Sequence, residues 1–159
     1  MTHHLHYWTQ ERAEIAFKDN KQVSCLESGW YSGLKLDDVI WILTSTNREH
    51  DLVLALRARV WTVEQVPTHP KYAVGNSKIF RNFRVQFHTQ DAPHPCRIPL
   101  PELTLRLLQF KTSSGIKSLE NAEISVILSG PLASRRKLTD HSADLLEELW
   151  SKKAEHPWR

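Results

Sequence analysis

The sequence predicts an α+β fold, with a curled sheet or partial β-barrel flanked by helices, in a single domain over residues 1–159. Strand patterns concentrate in the middle of the chain, whereas the clearest helical patterns lie towards its two ends. A chain of 159 residues can bury one hydrophobic core, and no repeat, Gly/Ser linker or low-complexity segment divides it. These observations favour one domain built around a central sheet.

The first quarter of the chain predicts two short elements. The segment Leu5–Trp8 has the pattern of a strand, and Thr9 can cap a brief helix over Glu11–Lys18. The apolar positions of this helix are Ala13, Ile15, Ala16 and Phe17. Residues 21–36 are predicted to be irregular, with a glycine on either side of the Trp30-Tyr31 pair.

The central strands give the strongest signal in the sequence. The segment Asp38–Thr44 is apolar on both alternating faces, which is typical of a strand buried on both sides. The polar run Ser45–Asp51 predicts a hairpin loop, and Leu52–Val63 then alternates as a second strand. One face of that strand carries Leu52, Leu54, Leu56, Ala58 and Val60, and the other carries Arg57, Arg59 and Trp61. A third strand is predicted over Phe80–Phe87.

The second half of the chain predicts two helices. A short helix is expected over Leu100–Leu108 with Pro101 in its first turn, followed by a polar loop over Lys111–Glu120. The segment Glu123–Leu128 fits either a strand or a helix. A last helix begins near Thr139-Asp140, and its apolar stripe comprises Leu145, Leu146, Leu149 and Trp150.

The composition limits the class of protein. There are 21 Lys and Arg residues against 18 Asp and Glu, giving a net charge of +3, which is compatible with a polyanionic partner. No apolar run reaches the roughly 18 residues of a membrane span, and the N-terminus lacks the apolar core of a signal peptide. Cys25 and Cys96 suggest no disulfide framework, so we expect a cytoplasmic protein. We also expect no cofactor.

Seven segments carry a resemblance to a known family through their order. They are Tyr7-Trp8, Trp30-Tyr31, Leu36–Ser45, Ala58–Val63, Phe83–Phe87, Ile98–Leu103 and Arg135–Thr139. In this order they resemble the EVE domain of the PUA-like superfamily, whose relatives include the YTH and ASCH domains. The resemblance covers most of the chain except residues 64–82. Two positions depart from the family pattern, because Asp37 stands where a Gly is expected and Lys137 is an additional basic residue.

The resemblance implies a reader of modified bases. Such a domain flips a nucleotide into an aromatic pocket while basic side chains hold the neighbouring phosphates. A modified cytosine in DNA is the favoured ligand, with RNA as the alternative, and the protein could be fused to or associated with a nuclease. The implied base pocket comprises Trp8, Trp30, Tyr31, Thr44, Ser45 and Trp61. The implied phosphate contacts are Arg57, Arg59, Ser134, Arg135, Arg136 and Lys137, of which the last four precede a helix N-terminus that favours anions.

Two other function classes remain open at this point. Some ASCH relatives hydrolyse modified nucleosides with a lysine and an acid, for which Lys35 and Glu27 are the candidates here. A protein-interaction module without a nucleic-acid role is the other alternative. The sequence contains no phosphate-binding glycine loop, nucleophile elbow or His-Glu-x-x-His motif, so we expect no catalytic residues.

No metal site is expected from the metal-binding residue types. The spacing of His88, His94 and Cys96 does not match a usual zinc site. Asp37 and Asp38 are adjacent, and adjacent residues in a strand point to opposite faces. Trp41 and Trp150 are expected in the hydrophobic core, because one lies in the doubly apolar strand and the other on the stripe of the last helix.

Overall fold

The computed structural model describes residues 1–19, 21–46, 51–67, 82–88, 90, 93–119 and 135–159. The described strands are β1 (His3–Trp8), β2 (Cys25–Ser28), β3 (Val39–Ser45), β4 (Leu52–Val66), β5 (Asn82–Phe87), β6 (Ile98–Pro99), β7 (Gln109–Thr112), β8 (Gly115–Ser118) and β9 (Arg136–Leu138). The described α-helices are α1 (Gln10–Phe17), α2 (Glu102–Leu107) and α3 (Asp140–Trp150). The predicted α+β class is therefore confirmed.

The strands form one open sheet, uncurled rather than curled as predicted, with the order β2-β5-β4-β3-β1-β9-β7-β8, and the short β6 pairs with β4. The pair β1–β3 is parallel, and the other described pairs are antiparallel. Within the described part of the chain this path has two ends, at β2 and β8. The central position of β3, which is buried along its whole length, explains why its sequence is apolar on both faces.

Two hydrophobic cores cover the two faces of the central strands. Trp41 and its odd-numbered neighbours in β3 pack in one core with Leu146 and Trp150 of α3. Ile40 and Ile42 point the other way and pack in a second core with Phe17 of α1. The doubly apolar pattern of β3 thus predicted its burial correctly, and Trp41 and Trp150 are core residues as expected.

The helix caps follow the sequence prediction more closely than the helix faces do. The Thr9 hydroxyl accepts a hydrogen bond from the backbone N–H of Arg12 at the start of α1. Of the four apolar positions named from the sequence, Ile15 and Ala16 face solvent. Ala13 and Phe17, spaced by four residues, are the buried pair that fixes the helix on the sheet.

Four segments differ from their predictions. Residues 21–36 contain β2 and a 3₁₀ turn over Gly29–Tyr31 rather than irregular chain. The predicted loop Lys111–Glu120 contains most of a β7–β8 hairpin, whose second strand is exposed throughout and so carries no apolar pattern. β4 continues to Val66, three residues beyond the predicted end. Helix α2 spans Glu102–Leu107 and is thus shorter than predicted.

Some predicted elements lie outside the described residues. These are Glu123–Leu128, the first two residues of the predicted strand Phe80–Phe87, and most of the hairpin loop Ser45–Asp51. The last helix, α3, begins as predicted, with the Thr139 hydroxyl accepting from the N–H of Ser142. None of the described helices is long and apolar enough to cross a membrane.

Candidate functional site

Two exposed tryptophans mark two separate surfaces at opposite ends of β5. Trp30 lies two residues after Ser28, which pairs with Phe83 near the start of β5. Trp61 lies on β4 beside Phe87, the last residue of β5. The tryptophans are 54% and 53% exposed, so neither contributes its full side chain to a core. The predicted base pocket therefore divides into a Trp30 surface and a Trp61 surface.

A β-bulge sets the position of Trp61. Val60 pairs with Phe87 and Thr62 pairs with Gln86, so Trp61 is one extra residue in β4 between two consecutive partners in β5. A bulge of this kind bends the strand and changes the direction of the bulged side chain, and bulges are frequent beside functional sites. The bulge gives a physical reason for the exposure of a large indole in the middle of a strand.

The Trp61 side chain lines a cleft of about 420 Å³ together with Phe87, His88 and Gln90. The ring centroids of Trp61 and His88 are 4.6 Å apart at an interplanar angle of 73°, so the two rings form a T-shaped pair. This arrangement presents an aromatic corner to solvent. One of the two rings can stack on the face of a flat ligand, while the other ring contacts the edge of that ligand.

A second cleft of about 500 Å³ shares Gln90 with the first one. Its lining residues are Arg57, Gln90, Pro93, His94, Pro95, Cys96, Trp150, Lys153, Ala154 and Pro157. We call the two clefts together the Trp61 groove. One end of this groove is aromatic, and the other carries the cationic side chains Arg57 and Lys153.

The arginines of β4 already have carboxylate partners. Nε and Nη2 of Arg57 donate to Oε1 of Glu147 at 2.9 and 2.7 Å, and the guanidinium lies 5.5 Å from the centre of the Trp41 ring. Nη1 of Arg59 is 3.7 Å from Oδ1 of Asp37. A phosphate at either arginine would therefore add to an ion pair or compete with it.

The Trp30 surface is held in place by Arg135. Nε and Nη2 of Arg135 donate to the carbonyl oxygens of Trp30 and Ser32 at 2.6 and 2.7 Å, and Nη1 donates to Nδ1 of His4 at 2.7 Å. The Ser28 hydroxyl caps the turn by accepting from the N–H of Trp30. Arg135 thus connects the turn to β1, a role that the sequence did not predict.

Two of the basic residues before α3 that were predicted to contact phosphates lie in a strand. Arg136 and Lys137 belong to strand β9, and Lys137 is exposed. The N–H groups at the start of α3 are capped by Thr139, and Ser134 lies outside the described residues. Strand β9 therefore lies between these cations and the helix N-terminus, and their contact with phosphates stays a prediction.

A buried polar network lies beneath the Trp30 turn. Asp38 accepts hydrogen bonds from the backbone N–H groups of Thr2 and Lys35, both at 2.9 Å. Its Oδ2 is 3.5 Å from Nε2 of His4, and Nδ1 of the same ring accepts from Arg135. A ring that accepts at Nδ1 is neutral, and burial followed by the charge of Arg135 lowers the pKa of His4 to about 4.

The other predicted pocket aromatics belong to the interior. Trp8 is 3% exposed and stacks on Phe17, while Tyr31 is fully buried. His6 lies between them, with its Nδ1 3.3 Å from Nε1 of Trp8 and 3.4 Å from the hydroxyl of Tyr31. Burial, followed by the charges of Arg12 and Arg135, lowers the pKa of His6 to about 3. Trp8, Tyr31 and His6 are therefore core side chains, and their rings are shielded from solvent.

The predicted pocket residues Thr44 and Ser45 lie at the end of β3. Thr44 is fully buried in register with Trp8, and its hydroxyl has no hydrogen-bond partner among the described residues. The Ser45 hydroxyl is 3.3 Å from that of Tyr7. Thr44 and Ser45 lie at the far end of β1, where Trp8 pairs with Thr44. The Trp30 turn is connected through Arg135 to His4, near the start of β1.

The residues considered for catalysis or metal binding take separate positions. Glu27 accepts from Nε of Arg84 at 2.7 Å, and no contact joins Glu27 to Lys35 in the described part of the chain. The described residues contain no group of three His, Cys, Asp or Glu side chains placed to hold a metal ion. Asp37 and Asp38 point to different places, as predicted, with Asp37 reaching His88 and Asp38 reaching His4.

Sequence reasoning missed the residues that complete both surfaces. His88 and Gln90 of the groove follow β5 in a segment without a repeating pattern, and no sequence signal indicated their contact with Trp61. His4 and His6 could have been identified, because they alternate with Trp8 and so share its face of β1. The chain matches no protein-family model, no curated protein and no solved structure.

Proposed function

We propose that this protein is a PUA-like nucleic-acid-binding domain that stacks an unpaired base on Trp61. The observation that carries this proposal is the β-bulge, which directs a half-exposed indole into a cleft beside His88. Stacking of a base on an aromatic side chain contributes about 1–3 kcal/mol to binding. A ligand on Trp61 would also remove from water an apolar ring that the fold leaves exposed.

The neighbouring cleft supplies positive charge for the phosphates. Arg57 and Lys153 line it, and Gln90 lines both this cleft and the aromatic one, so the two clefts are neighbours. Phosphate contacts supply much of the affinity of nucleic-acid-binding proteins, and they are independent of base sequence. The groove thus combines a surface for one base with a site for the backbone next to it.

The family resemblance adds the expectation that the bound base is modified. On this proposal the protein selects a modified cytosine in DNA, and a base flipped out of a duplex or a base in a single strand can reach Trp61. The Trp30 surface is the less suitable place for the base, since the residues beneath it are Tyr31 and Trp8, which are closed to solvent.

A binding panel with two matched variants tests the proposal. Fluorescence anisotropy would measure the affinity for labelled single-stranded and duplex DNA and for RNA, each with and without a modified cytosine. Trp61→Ala should weaken binding by about 1–3 kcal/mol, which is roughly 5- to 150-fold, because the stacking surface is lost. Trp30→Ala is the matched control, since its indole is equally exposed on another surface, and it should bind as the wild type does.

The same panel can refute the proposal. If the wild type binds none of the nucleic acids, the protein-interaction alternative gains support. If Trp30→Ala loses affinity and Trp61→Ala does not, the binding surface lies at the Arg135-held turn. If modified and plain strands bind equally well, the groove binds nucleic acid without reading a modification.

A further inference from the structure

We infer that Asp37 is a positioning residue for His88 and that the pair makes the Trp61 groove select bases with an exocyclic amino group. This inference rests on the proposed function and names the class of base that the site would prefer. It depends on three observations, which are the backbone conformation of Asp37, its contact with His88, and the place of His88 in the wall of the cleft.

Asp37 has an unusual backbone conformation for a residue with a side chain. Its φ is +69°, and among the described residues it is the one non-glycine residue with a positive φ. Aspartate tolerates this region better than most residues, but glycine adopts it without steric strain. Its backbone N–H donates to the carbonyl of Val60 at 2.9 Å, next to the bulged Trp61. A carboxylate is therefore present where the backbone alone favours glycine.

The Asp37 carboxylate determines which nitrogen of His88 carries a proton. Oδ1 of Asp37 is 3.1 Å from Nε2 of His88, and a carboxylate accepts hydrogen bonds, so Nε2 donates. The backbone N–H of His88 donates to the carbonyl of Arg59 at 3.2 Å and fixes the chain at this point. When the ring is neutral and its proton is on Nε2, the other ring nitrogen, Nδ1, is unprotonated and is a hydrogen-bond acceptor.

An acceptor in the wall of the cleft selects among bases by hydrogen-bond chemistry. Cytosine, adenine and guanine carry exocyclic amino groups that donate, whereas uracil and thymine have none and carry a carbonyl oxygen at the position that cytosine uses for its amino group. A base stacked on Trp61 lies beside the His88 ring, because the two rings are 4.6 Å apart. The wall should therefore attract an amino group and disfavour a carbonyl.

The test uses single-stranded DNA that offers one base only. Ten-nucleotide strands with abasic positions around one central cytosine, adenine, uracil or thymine would be titrated against the full chain. The wild type should bind the cytosine and adenine strands about tenfold more tightly than the other two, which is the effect of one well-formed hydrogen bond. Trp61→Ala should weaken binding of all four strands alike.

Three variants separate positioning from a purely structural role. Asp37→Gly should remove the preference, so that the four strands bind about equally. The melting temperature should change little, because the relief of the positive φ offsets the lost contacts with His88 and Arg59. Asp37→Asn should keep most of the preference, since its amide oxygen still accepts from Nε2 and asparagine tolerates this conformation. His88→Phe keeps a ring beside Trp61 but should lose the preference.

The outcomes distinguish this inference from the proposed function. Equal binding of all four strands by the wild type, with the Trp61→Ala loss intact, overturns the amino-group selection and leaves the groove as the binding site. A preference for uracil or thymine overturns it in the same way. An unchanged preference in Asp37→Gly refutes the positioning role of Asp37. Absence of binding to every strand refutes the proposed function itself.

Discussion

The guanidinium group of Arg135 lies between β1 and the turn that carries Trp30. Its three hydrogen bonds go to two backbone carbonyls of that turn and to the neutral ring of His4. A planar fork suits these acceptors, which point at it from different directions. The geometry assigns this residue a structural role, although its sequence context had indicated a phosphate ligand.

Replacement of Arg135 should therefore destabilise the protein. Arg135→Ala leaves the carbonyls of Trp30 and Ser32 without their donor, and we expect the free energy of unfolding to fall by about 2–3 kcal/mol. Arg135→Lys should recover only part of this loss, because an ammonium group lacks the fork geometry. Urea unfolding measures the effect, and Lys137→Ala, an exposed neighbour on β9, is the control with a change of at most about 0.5 kcal/mol. A stable Arg135→Ala variant would contradict the structural role.

The buried histidines should make the stability depend on pH. Burial lowers the folded-state pKa of His4 to about 4 and that of His6 to about 3, whereas the unfolded chain has the ordinary value of 6.5. As the pH falls below 6.5 the unfolded chain takes up protons first, so stability is full above that pH and is lost on acidification. We expect about 2–3 kcal/mol less stability at about pH 5.5 than at about pH 7.

Urea unfolding midpoints at a series of pH values check this expectation. The range from about pH 7 to 5.5 lies above the ordinary pKa values of Asp and Glu, so the histidines dominate the slope there. His6→Gln removes one titrating group and should give a shallower slope than the wild type. Equal slopes in the two proteins would show that His6 is not held neutral.

At the scale of whole elements, the sequence predicted best where burial produced a strong pattern. β3 is apolar on both faces because two cores cover it, and this pattern was read correctly. Strand β2 was missed for two reasons. Its partner β5 is distant in the sequence, since Glu27 pairs with Arg84, 57 residues away, and four alternating residues give only a weak strand pattern. The β7–β8 hairpin was missed because the exposed side chains of β8 have no apolar period.

The candidate site was predictable in part for the same physical reason. The alternation in β4 indicated that Arg57, Arg59 and Trp61 share a face, but a bulge depends on the partner strand and leaves no pattern in its own sequence. The exposure of Trp30 agreed with its glycine-flanked position. The burial of Tyr31 beside it depends on His6, a contact across 25 residues that no local pattern indicates.

The junction between α3 and β7 offers a prediction at this scale. The Ser142 hydroxyl is fully buried, accepts from the backbone N–H of Gln109 at 2.7 Å and lies 3.1 Å from the Thr139 hydroxyl. Ser142→Ala removes the acceptor and should lower the free energy of unfolding by about 1–3 kcal/mol. Chemical denaturation measures it, with Glu148→Ala on the exposed side of α3 as the control. A loss no larger than that of the control would mean that water replaces the hydroxyl.

At the scale of the whole molecule, the structure contains two kinds of polar site, which the adjacent residues Asp37 and Asp38 contact one each. The network of His4, Asp38 and Arg135 joins the first strand, the Trp30 turn and the start of β9, and every described contact within it is made by the protein itself. The Trp61 groove lies at the other end of β5, and its aromatic corner faces solvent. The first arrangement joins three elements of the fold, and the second is the surface that we propose for a ligand.

The most direct test of the groove is the nuclear magnetic resonance spectrum of the tryptophan indole N–H groups during a titration with a short single-stranded cytosine-containing DNA. The chain has six tryptophans, and the signals of Trp30 and Trp61 can be assigned with Trp30→Phe and Trp61→Phe. We predict that the Trp61 signal shifts or broadens as DNA is added, while the Trp30 signal keeps its position. A shift of the Trp30 signal with an unchanged Trp61 signal, or no shift of either, would contradict the assignment of the Trp61 groove as the nucleic-acid-binding surface.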